Sequence, residues 1–481
     1  MKILTFEEHS SVLAAWWDLP RRPRTLVYFD AHLDLQQISP ERLRRIVEST
    51  TAQHVAALRK PHHLYPDEGF SYSIEDFLYP AHRLGMIDRI IWVAPPHVLT
   101  ADPSATFERL QQMDGVEFEE LLSFQRRPDG TAQGRLLGVE LTICDFRQLG
   151  RMSLPVDNLI DIDIDFFIAL PDESAWVSPR DVFIAIEALG LSPELVTISR
   201  SVGSGFTPLC YRFLADHLAA LFERRAADCS HFERLGESAA LLRAGTRESA
   251  ASACRFEVER HPSCPAAWHL LSLASRHPQE AEACQDRAAD LCPAYELSVL
   301  REACEFPARN LPLNLATVRL LENRFVTGQR SATEDALTWA ALGLLQCHLG
   351  RVEAAGECYR LTARHFPNHP ELASALANVF IRAQRPKEAI PFLEAATTDD
   401  KTAAGAQMLL GSVHAGTGDL ASADVHLQAA SALAPAWTHV IELRGRILAA
   451  AGQVQEAEGL RQLCSRMRDE ALRAAERLGA N

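Results

Sequence analysis

Two hydrophobic rhythms divide the chain near residue 225. Before that point, short apolar runs rich in β-branched and aromatic residues recur between polar, turn-forming stretches. Thr25–Phe29, Arg89–Ala94, Val139–Cys144, Leu159–Asp165 and Leu195–Ser199 have this character and are predicted as buried strands, with Val116–Phe118 as a further short one. Amphipathic stretches between them predict helices over Val12–Leu19 behind an N-cap at Ser10, over roughly Pro40–Leu58, and over Pro179–Leu189. Another opens at Ser73, with Asp76 three residues on as a weak capping box. Strands alternating with helices over some 220 residues predict an α/β domain with a mostly parallel sheet covered on both faces.

Beyond residue 225 Ala, Leu, Glu and Arg dominate and the expected structure is all-α. Ala355, Ala389, Ala423 and Ala457 follow one another at intervals of 34 residues, and Gly343, Ala377, Gly411 and Gly445 keep the same interval, as do Leu342, Leu376 and Leu410. Small residues at fixed positions let paired helices approach closely, and each pair must stack on a neighbour to bury its apolar face. The expected organisation is therefore a first domain over 1–225, a helical adaptor or degenerate repeats over 226–330, and a solenoid over 331–481. The repeats run from about Ser331 to Arg466, and Cys464–Leu478 is expected as a capping helix.

Two of the strands end in unusual chemistry. Thr25–Phe29 runs into Asp30-Ala31-His32-Leu33-Asp34, and alternation puts Asp30, His32 and Asp34 on one side. Leu159–Phe167 alternates Ile with Asp161, Asp163 and Asp165, so one face of an otherwise apolar strand carries three acids. Carboxylates cost several kcal/mol each in a low-dielectric interior, so that face must be exposed, protonated, paired or neutralised by cations. Alone, the first group also suits a turn or helix cap and the second an exposed edge strand. Two acidic strand ends in one domain favour a metal site, since ligands of open α/β sheets bind at the carboxyl ends of the strands.

Composition narrows the class. With 481 residues, 47% hydrophobic and 23% charged, the chain has the make-up of a globular protein of two to four domains. A net charge of -15 disfavours nucleic acid, and apolar runs are too short for a membrane span. Eleven cysteines scattered without a Cys-x-x-Cys pair, together with early acids at Glu7 and Glu8, point to a reducing cytoplasm rather than secretion.

Asp30-Ala31-His32-Leu33-Asp34 resembles the Asp-Ala-His-x-Asp signature of the arginase and agmatinase group of ureohydrolases, and Asp163-Ile164-Asp165 is similar to their later Asp-x-Asp. His9, 21 residues before Asp30, suits their first metal histidine. The likeness is strongest to a divergent branch with Glu-Asp-His or a variant near the N-terminus (here Glu7-Glu8-His9), a Ser-Ile-Glu helix (Ser73-Ile74-Glu75) and an Asp-x-Asp-x-Asp-Phe-Phe strand. Some members of that branch are peptide arginases, which turn arginine residues of peptides into ornithine and urea. The resemblance covers roughly residues 1–215. The later part resembles the tetratricopeptide repeat, with Trp339, Leu342, Gly343, Ala355, Tyr359 and Pro367 where its pattern has large, small and turn residues.

The ureohydrolase resemblance implies two Mn²⁺ per chain. His9 and Asp34 would complete one site, His32 and Asp165 the other, with Asp30 and Asp163 bridging, although the bridging role also suits Asp161 by a shift of two. Four carboxylates and two imidazoles are an appropriate donor set for such ions. The family chemistry is attack of hydroxide on a guanidinium carbon, with Asp165 passing a proton to the departing amine. Where relatives acting on free arginine hold the guanidinium with a late glutamate, this chain reads Ile198-Ser199-Arg200-Ser201, and an arginine there would repel a cation. Glu75 is the replacement candidate, as carboxylate partner or proton shuttle, against the plain alternative of an acid favouring a helix N-terminus. The expected substrate is arginine within a peptide or protein recruited by the repeats. A single-zinc deacylase of related fold and a non-catalytic repeat scaffold remain the alternatives.

Overall fold

The computed structural model describes residues 2–297 apart from 21, 67, 100–109, 156–157, 170–172 and 192, then 300, 315, 318, 319, 321 and 322, and from 331 to 479 apart from 400 and 401. Its strands are β1 (Lys2–Phe6), β2 (Thr25–Phe29), β3 (Arg89–Val93), β4 (Gln125–Arg126), β5 (Ala132–Leu136), β6 (Val139–Cys144), β7 (Asn158–Asp163), β8 (Ile168–Ala169), β9 (Ser174–Ala175) and β10 (Leu195–Ser199). Eight of them form one sheet in the order β1-β10-β7-β2-β3-β6-β5-β4. Pairing is parallel from β1 to β6 and antiparallel where β6, β5 and β4 meet.

Alternation along the central strands sorts side chains between two cores. Val27, Phe29, Ile91, Val93, Ile160, Ile162, Val196 and Ile198 belong to one apolar cluster, whereas Leu26, Tyr28, Ile90, Trp92 and Leu159 belong to another across the sheet. All residues of β2, β7 and β10 are buried, as central parallel strands require. β2 and β7 are neighbours, and the chain leaves β2 for β3 on one side and β7 for β10 on the other. Their carboxyl ends therefore flank the crevice where strand order reverses.

Several local expectations are corrected. Pro40–Leu58 is two helices, Pro40–Val47 and Ala52–Ala57, because Thr51 starts the second by accepting from the His54 N–H at 3.1 Å. Val116–Phe118 is not a strand: Phe118 opens a helix to Leu122, and Glu120 returns to accept the Glu117 N–H at 3.4 Å. The first helix is only Ser11–Trp16, and Ser10 stands at its N-cap without a side-chain capping bond. The Ser73 segment is a turn in which Asp76 accepts from the Ser73 N–H and hydroxyl at 2.7 and 2.9 Å, and the helix begins at Leu78. β1 and the β4–β5 hairpin had no clear pattern of their own.

The C-terminal part is an array of antiparallel helix pairs: Ala332–His348 with Val352–Thr362, Pro370–Arg382 with Pro386–Ala396, Ala403–Gly416 with Leu420–Leu433, and Thr438–Ala450 with Val454–Gly479. The second helices begin at Val352, Pro386, Leu420 and Val454, again at the 34-residue interval. Ala355, Ala389, Ala423 and Ala457 are fully buried between helices. A Cβ on Gly411 would lie 2.6 Å from Leu427 Cγ, which is why that place takes nothing larger. The expected cap Cys464–Leu478 is the second half of the unbroken helix from Val454.

Before the array, helices Ala226–Arg243, Arg247–Arg260, Pro265–Ala274 and Pro278–Leu291 share one apolar cluster with the sheet as far as Tyr295. The rest of the expected adaptor up to Gly328 lies almost wholly outside the described residues. Among the described residues no helix is long and apolar enough to cross a membrane, and the described cysteines are free thiols.

Candidate metal centre

Parallel register sets the acids side by side. Tyr28 pairs with Asp161 and Phe29 with Ile162, so Asp30, just beyond β2, comes level with Asp163 at the end of β7. His9 follows β1 and crosses β10 to reach them, its ring stacked on Tyr28 (5.6 Å) and tilted against Phe77 (4.8 Å). Nδ1 of His9 lies 3.2 Å from Asp30, 3.1 Å from Asp34 and 3.1 Å from Asp163. On the other ring edge, Nε2 lies 2.9 Å from Asp161. An ionised carboxylate only accepts, so Nε2 carries a hydrogen toward Asp161 and Nδ1 is the ring nitrogen turned toward the other three carboxylates. That fully buried Nδ1 makes no hydrogen bond.

A second group shares Asp30. His32 Nδ1 is 2.7 Å from Asp165 and 3.6 Å from Asp30, and Asp165 also accepts from the Ala31 N–H at 3.2 Å. The His32 N–H donates to Asp30 at 2.6 Å, and the Trp92 indole N–H donates to the Asp30 carbonyl at 2.9 Å. Tyr28 places its hydroxyl between Asp30 and Asp34, 3.0 Å from the latter. Ser201 donates to Asp163 and Thr197 to Asp161 (2.6 Å). Asp34 and Ser201 both have positive φ, 40° and 47°, conformations that non-glycine residues seldom hold except where surroundings impose them.

All six side chains named from the sequence as metal ligands, His9, Asp30, His32, Asp34, Asp163 and Asp165, thus converge in two groups joined by Asp30. The ambiguity of register is resolved in space: Asp163 meets Nδ1 of His9 among the other acids, whereas Asp161 stands behind the ring on Nε2. Four Asp residues, Asp30, Asp161, Asp163 and Asp165, are buried here with Asp34 half-buried beside them, and among the described residues their ion partners are His9 and His32, with no lysine or arginine. Even two imidazolium ions leave the group short of positive charge. Oxygen and imidazole donors without sulfur fit divalent ions of the manganese kind.

The titration of these groups records the same deficit. Burial alone would discharge His9, but Asp161 and Asp163 outweigh it and hold its pKa well above the usual imidazole value. His32 is raised in the same way by Asp165. Burial, then the Asp30 charge, pushes Asp34 up to about 7, and burial pushes Glu8 up to about 8. Asp163 and Asp165 are raised by burial and by neighbouring carboxylates.

Over the ligand groups lies a cavity of about 350 Å³ whose walls include His32, Asp34, Glu75, Trp92, Asp163 and Phe206. Glu75 sits on the cavity wall rather than on a helix, being within the Ser73 turn. Arg200 does not line it; its guanidinium turns away to Asp216 at 2.6 Å, so the repulsion expected from the sequence does not arise. Among the described lining residues there is no lysine or arginine.

Sequence reasoning missed Tyr28, Trp92, Ser201 and Glu7, which ties the Gly203 N–H (3.1 Å) and Arg212 (2.7 Å) to the end of β1. Tyr28 was within reach, since it shares a face with Asp30 two residues on. The others act from separate strands and leave no local pattern. His231, Glu257 and His261 also bring metal-capable atoms together, but Arg234 already bonds Glu257, so charge there is met by the protein itself.

No protein-family model matches the chain, and no curated protein matches it. Among solved structures it is similar to YrrB, described as a TPR protein with an unusual peptide-binding site, at 16% identity and TM-score 0.25 over 47% of this chain and 98% of that one. It is also similar to the P58(IPK) TPR domain, at 16% identity and TM-score 0.18 over 52% of this chain and 77% of that one. The repeat character of residues 331–479 stands on the 34-residue register and the helix pairs themselves.

Asp161 illustrates how a residue beside the ligands is separable from them. A carboxylate that fixes a ligand imidazole contributes about 10- to 100-fold in metal affinity. If the two groups hold manganese, Asp161→Asn is expected to weaken its binding by that factor in calorimetry without abolishing it. Complete loss of one ion would make Asp161 a ligand.

Proposed function

We propose that the first domain is an arginase-like binuclear manganese hydrolase that cleaves the guanidinium of arginine residues in a peptide or protein, giving ornithine and urea. The observation that carries this reading is His9 Nδ1 facing Asp30, Asp34 and Asp163 at 3.1–3.2 Å, with Asp30 shared by the His32–Asp165 pair. His9, Asp30, Asp34 and Asp163 would hold one ion, and Asp30, His32, Asp163 and Asp165 the other. When bound, the two ions would act as Lewis acids and lower the pKa of a shared water toward neutrality.

The chain's own groups account for the rest. A guanidinium entering the cavity meets the acids Glu75, Asp34 and Asp163 and the rings of Trp92 and Phe206, partners that suit a planar cation. With no lysine or arginine among the described lining, no permanent cation there pairs with a free α-carboxylate, which favours arginine inside a chain. Addition of water to the guanidinium carbon gives a tetrahedral adduct; Asp165 takes the proton released and hands it to the departing amine, so that water and the arginine side chain become urea and ornithine.

In the scaffold alternative the array docks a peptide or protein and the first domain holds structural metal. One experiment separates the possibilities. Metal analysis of the purified chain is combined with a urea assay on an arginine-containing peptide, free arginine serving as control. The hydrolase gives two manganese and urea from the peptide; a single zinc points to the deacylase, and metal without turnover to the scaffold. Glu75→Gln is expected to lower turnover by about 10- to 100-fold with both ions retained, as for loss of one charged substrate contact.

A further inference from the structure

The helical array meets the first domain at more than its point of attachment. Leu64, from the loop after the helix Ala52–Ala57, is fully buried among Leu337, Ala341, Leu342, Leu345 and Leu372 of the array. Lys60, with a side chain only 1% exposed, pairs with Glu371 at 2.9 Å. His369, fully buried, donates through Nε2–H to the Leu64 carbonyl, while its Nδ1 accepts from the Leu372 N–H at 3.3 Å. Both ring nitrogens are thus used, which fixes the tautomer. Buried polar contacts of this kind add little net stability but specify how two surfaces register.

The same loop leads to the metal groups. His62 and His63 stack at 4.3 Å, His63 lies against Phe206 at 6.2 Å, and Phe206 sets its edge on His32 at 5.2 Å. Met113 also lines the cavity, between two anchors to the last repeats: the Gly115 N–H donates to the Leu433 carbonyl at 2.9 Å, and Thr438 donates to Gln111 at 3.4 Å. Cys464, Met467 and Ala474 of the final helix continue that contact in one cluster with Phe118, Leu121 and Phe124. Two lining residues of the cavity, Phe206 and Met113, are therefore linked to the array by separate routes.

We propose that the repeat array sets the shape of the crevice, and that Leu64, His369 and Glu371 are positioning residues which act through His63 and Phe206 on His32. The width of the site at the metal groups would then be fixed by helices outside the first domain. The activity arm of this proposal rests on the hydrolase reading; its structural arm does not.

The test uses the full chain with His369→Ala, and His369→Gln as the conservative variant, whose amide N–H can still reach the Leu64 carbonyl. Hydrogen exchange is followed in residues 60–66 and 201–207, and peptide KM and kcat are measured at saturating manganese. His369→Ala is expected to speed exchange in both segments and to raise KM about tenfold with kcat little changed, the size of one lost buried hydrogen bond, and His369→Gln to recover most of both. Faster exchange confined to residues 60–66 overturns the proposal, because it makes the contact a local staple. Should His369→Ala fail to fold, Glu371→Gln, which weakens only the Lys60 contact, is read by the same criteria. If the wild-type chain releases no urea, the exchange data still decide the coupling. If it does release urea and the variants match it in both segments and in KM, the coupling is wrong and the hydrolase stands.

Discussion

Asp30→Asn is expected to strip both manganese ions and lower urea release by on the order of a thousandfold or more, with the circular dichroism of the sheet and repeats unchanged. Asp30 is the one carboxylate common to both donor groups: one oxygen is 3.2 Å from His9 Nδ1, and the other accepts from the His32 N–H at 2.6 Å and lies 3.6 Å from the His32 ring. Asparagine keeps an acceptor for that N–H, and the Tyr28 hydroxyl, which meets the other oxygen, can accept from the amide N–H while still donating to Asp34, so the local fold has little reason to change, whereas the charge that would hold a cation is gone. Asp163→Asn should behave alike, since Asp163 faces the same His9 nitrogen at 3.1 Å and is braced by Ser201. A second effect has the opposite sign. Removing one of five crowded carboxylates relieves repulsion in the metal-free protein, so its melting temperature should rise, by an amount corresponding to roughly 1 kcal/mol or more. Two ions and full turnover retained in Asp30→Asn would end the binuclear reading, and a fall in metal-free stability would mark Asp30 as part of a purely structural network.

What could be seen in the sequence was what obeys a short period. Asp30, His32 and Asp34, and again Asp161, Asp163 and Asp165, declare themselves because acids at the ends of apolar strands are conspicuous, although strand alternation is not what gathers them: β2 ends at Phe29 and β7 at Asp163, and Asp165 sits in the 3-10 turn Ile164–Phe167. The 34-residue interval of Ala355 and its equivalents is legible for the same reason, since close helix contact admits only small residues there. His9 had no pattern of its own and was found through a family resemblance. The choice between Asp161 and Asp163 needed the third dimension, because both point to one face and only β2 decides which of them lies level with Asp30. Arg200 was misjudged in the same way: its partner, Asp216, sits on a helix that no local rule connects to it. Least legible of all was the seating of Leu64 in the repeats, where a lone leucine in a polar loop gives no sign that it is buried more than 270 residues away in the chain.

Without metal the protein should lose stability as pH rises, and manganese should restore it. Asp34 moves from an ordinary 3.8 up to about 7, and Glu8 from 4.5 up to about 8, chiefly through burial. In the unfolded chain both are ionised above about pH 5, so between there and pH 8 the folded state binds more protons than the unfolded one. A carboxyl group raised on folding stabilises fully below its unfolded pKa, and that contribution is lost as pH climbs through the folded value. His9 and His32, raised above 6.5 by their carboxylate neighbours, have the same sign: their contribution is complete below pH 6.5 and fades as pH passes their folded values. The metal-free chain is thus expected to be most stable near pH 5 and to weaken by on the order of a few kcal/mol by pH 8. Cations take the place of these protons and bind the ionised carboxylates, so their effect runs the other way: small at pH 5.5, and about 2.7 kcal/mol at pH 8 when manganese is a hundredfold above its Kd. Thermal melts of chelator-stripped protein from pH 5 to 8.5, with and without added manganese, read both slopes at once. A metal-free melting temperature that climbs toward pH 8 and ignores manganese would mean that permanent protein charges already neutralise the acids of β2 and β7, and a site neutralised in that way has no place for the ions on which the proposed chemistry depends.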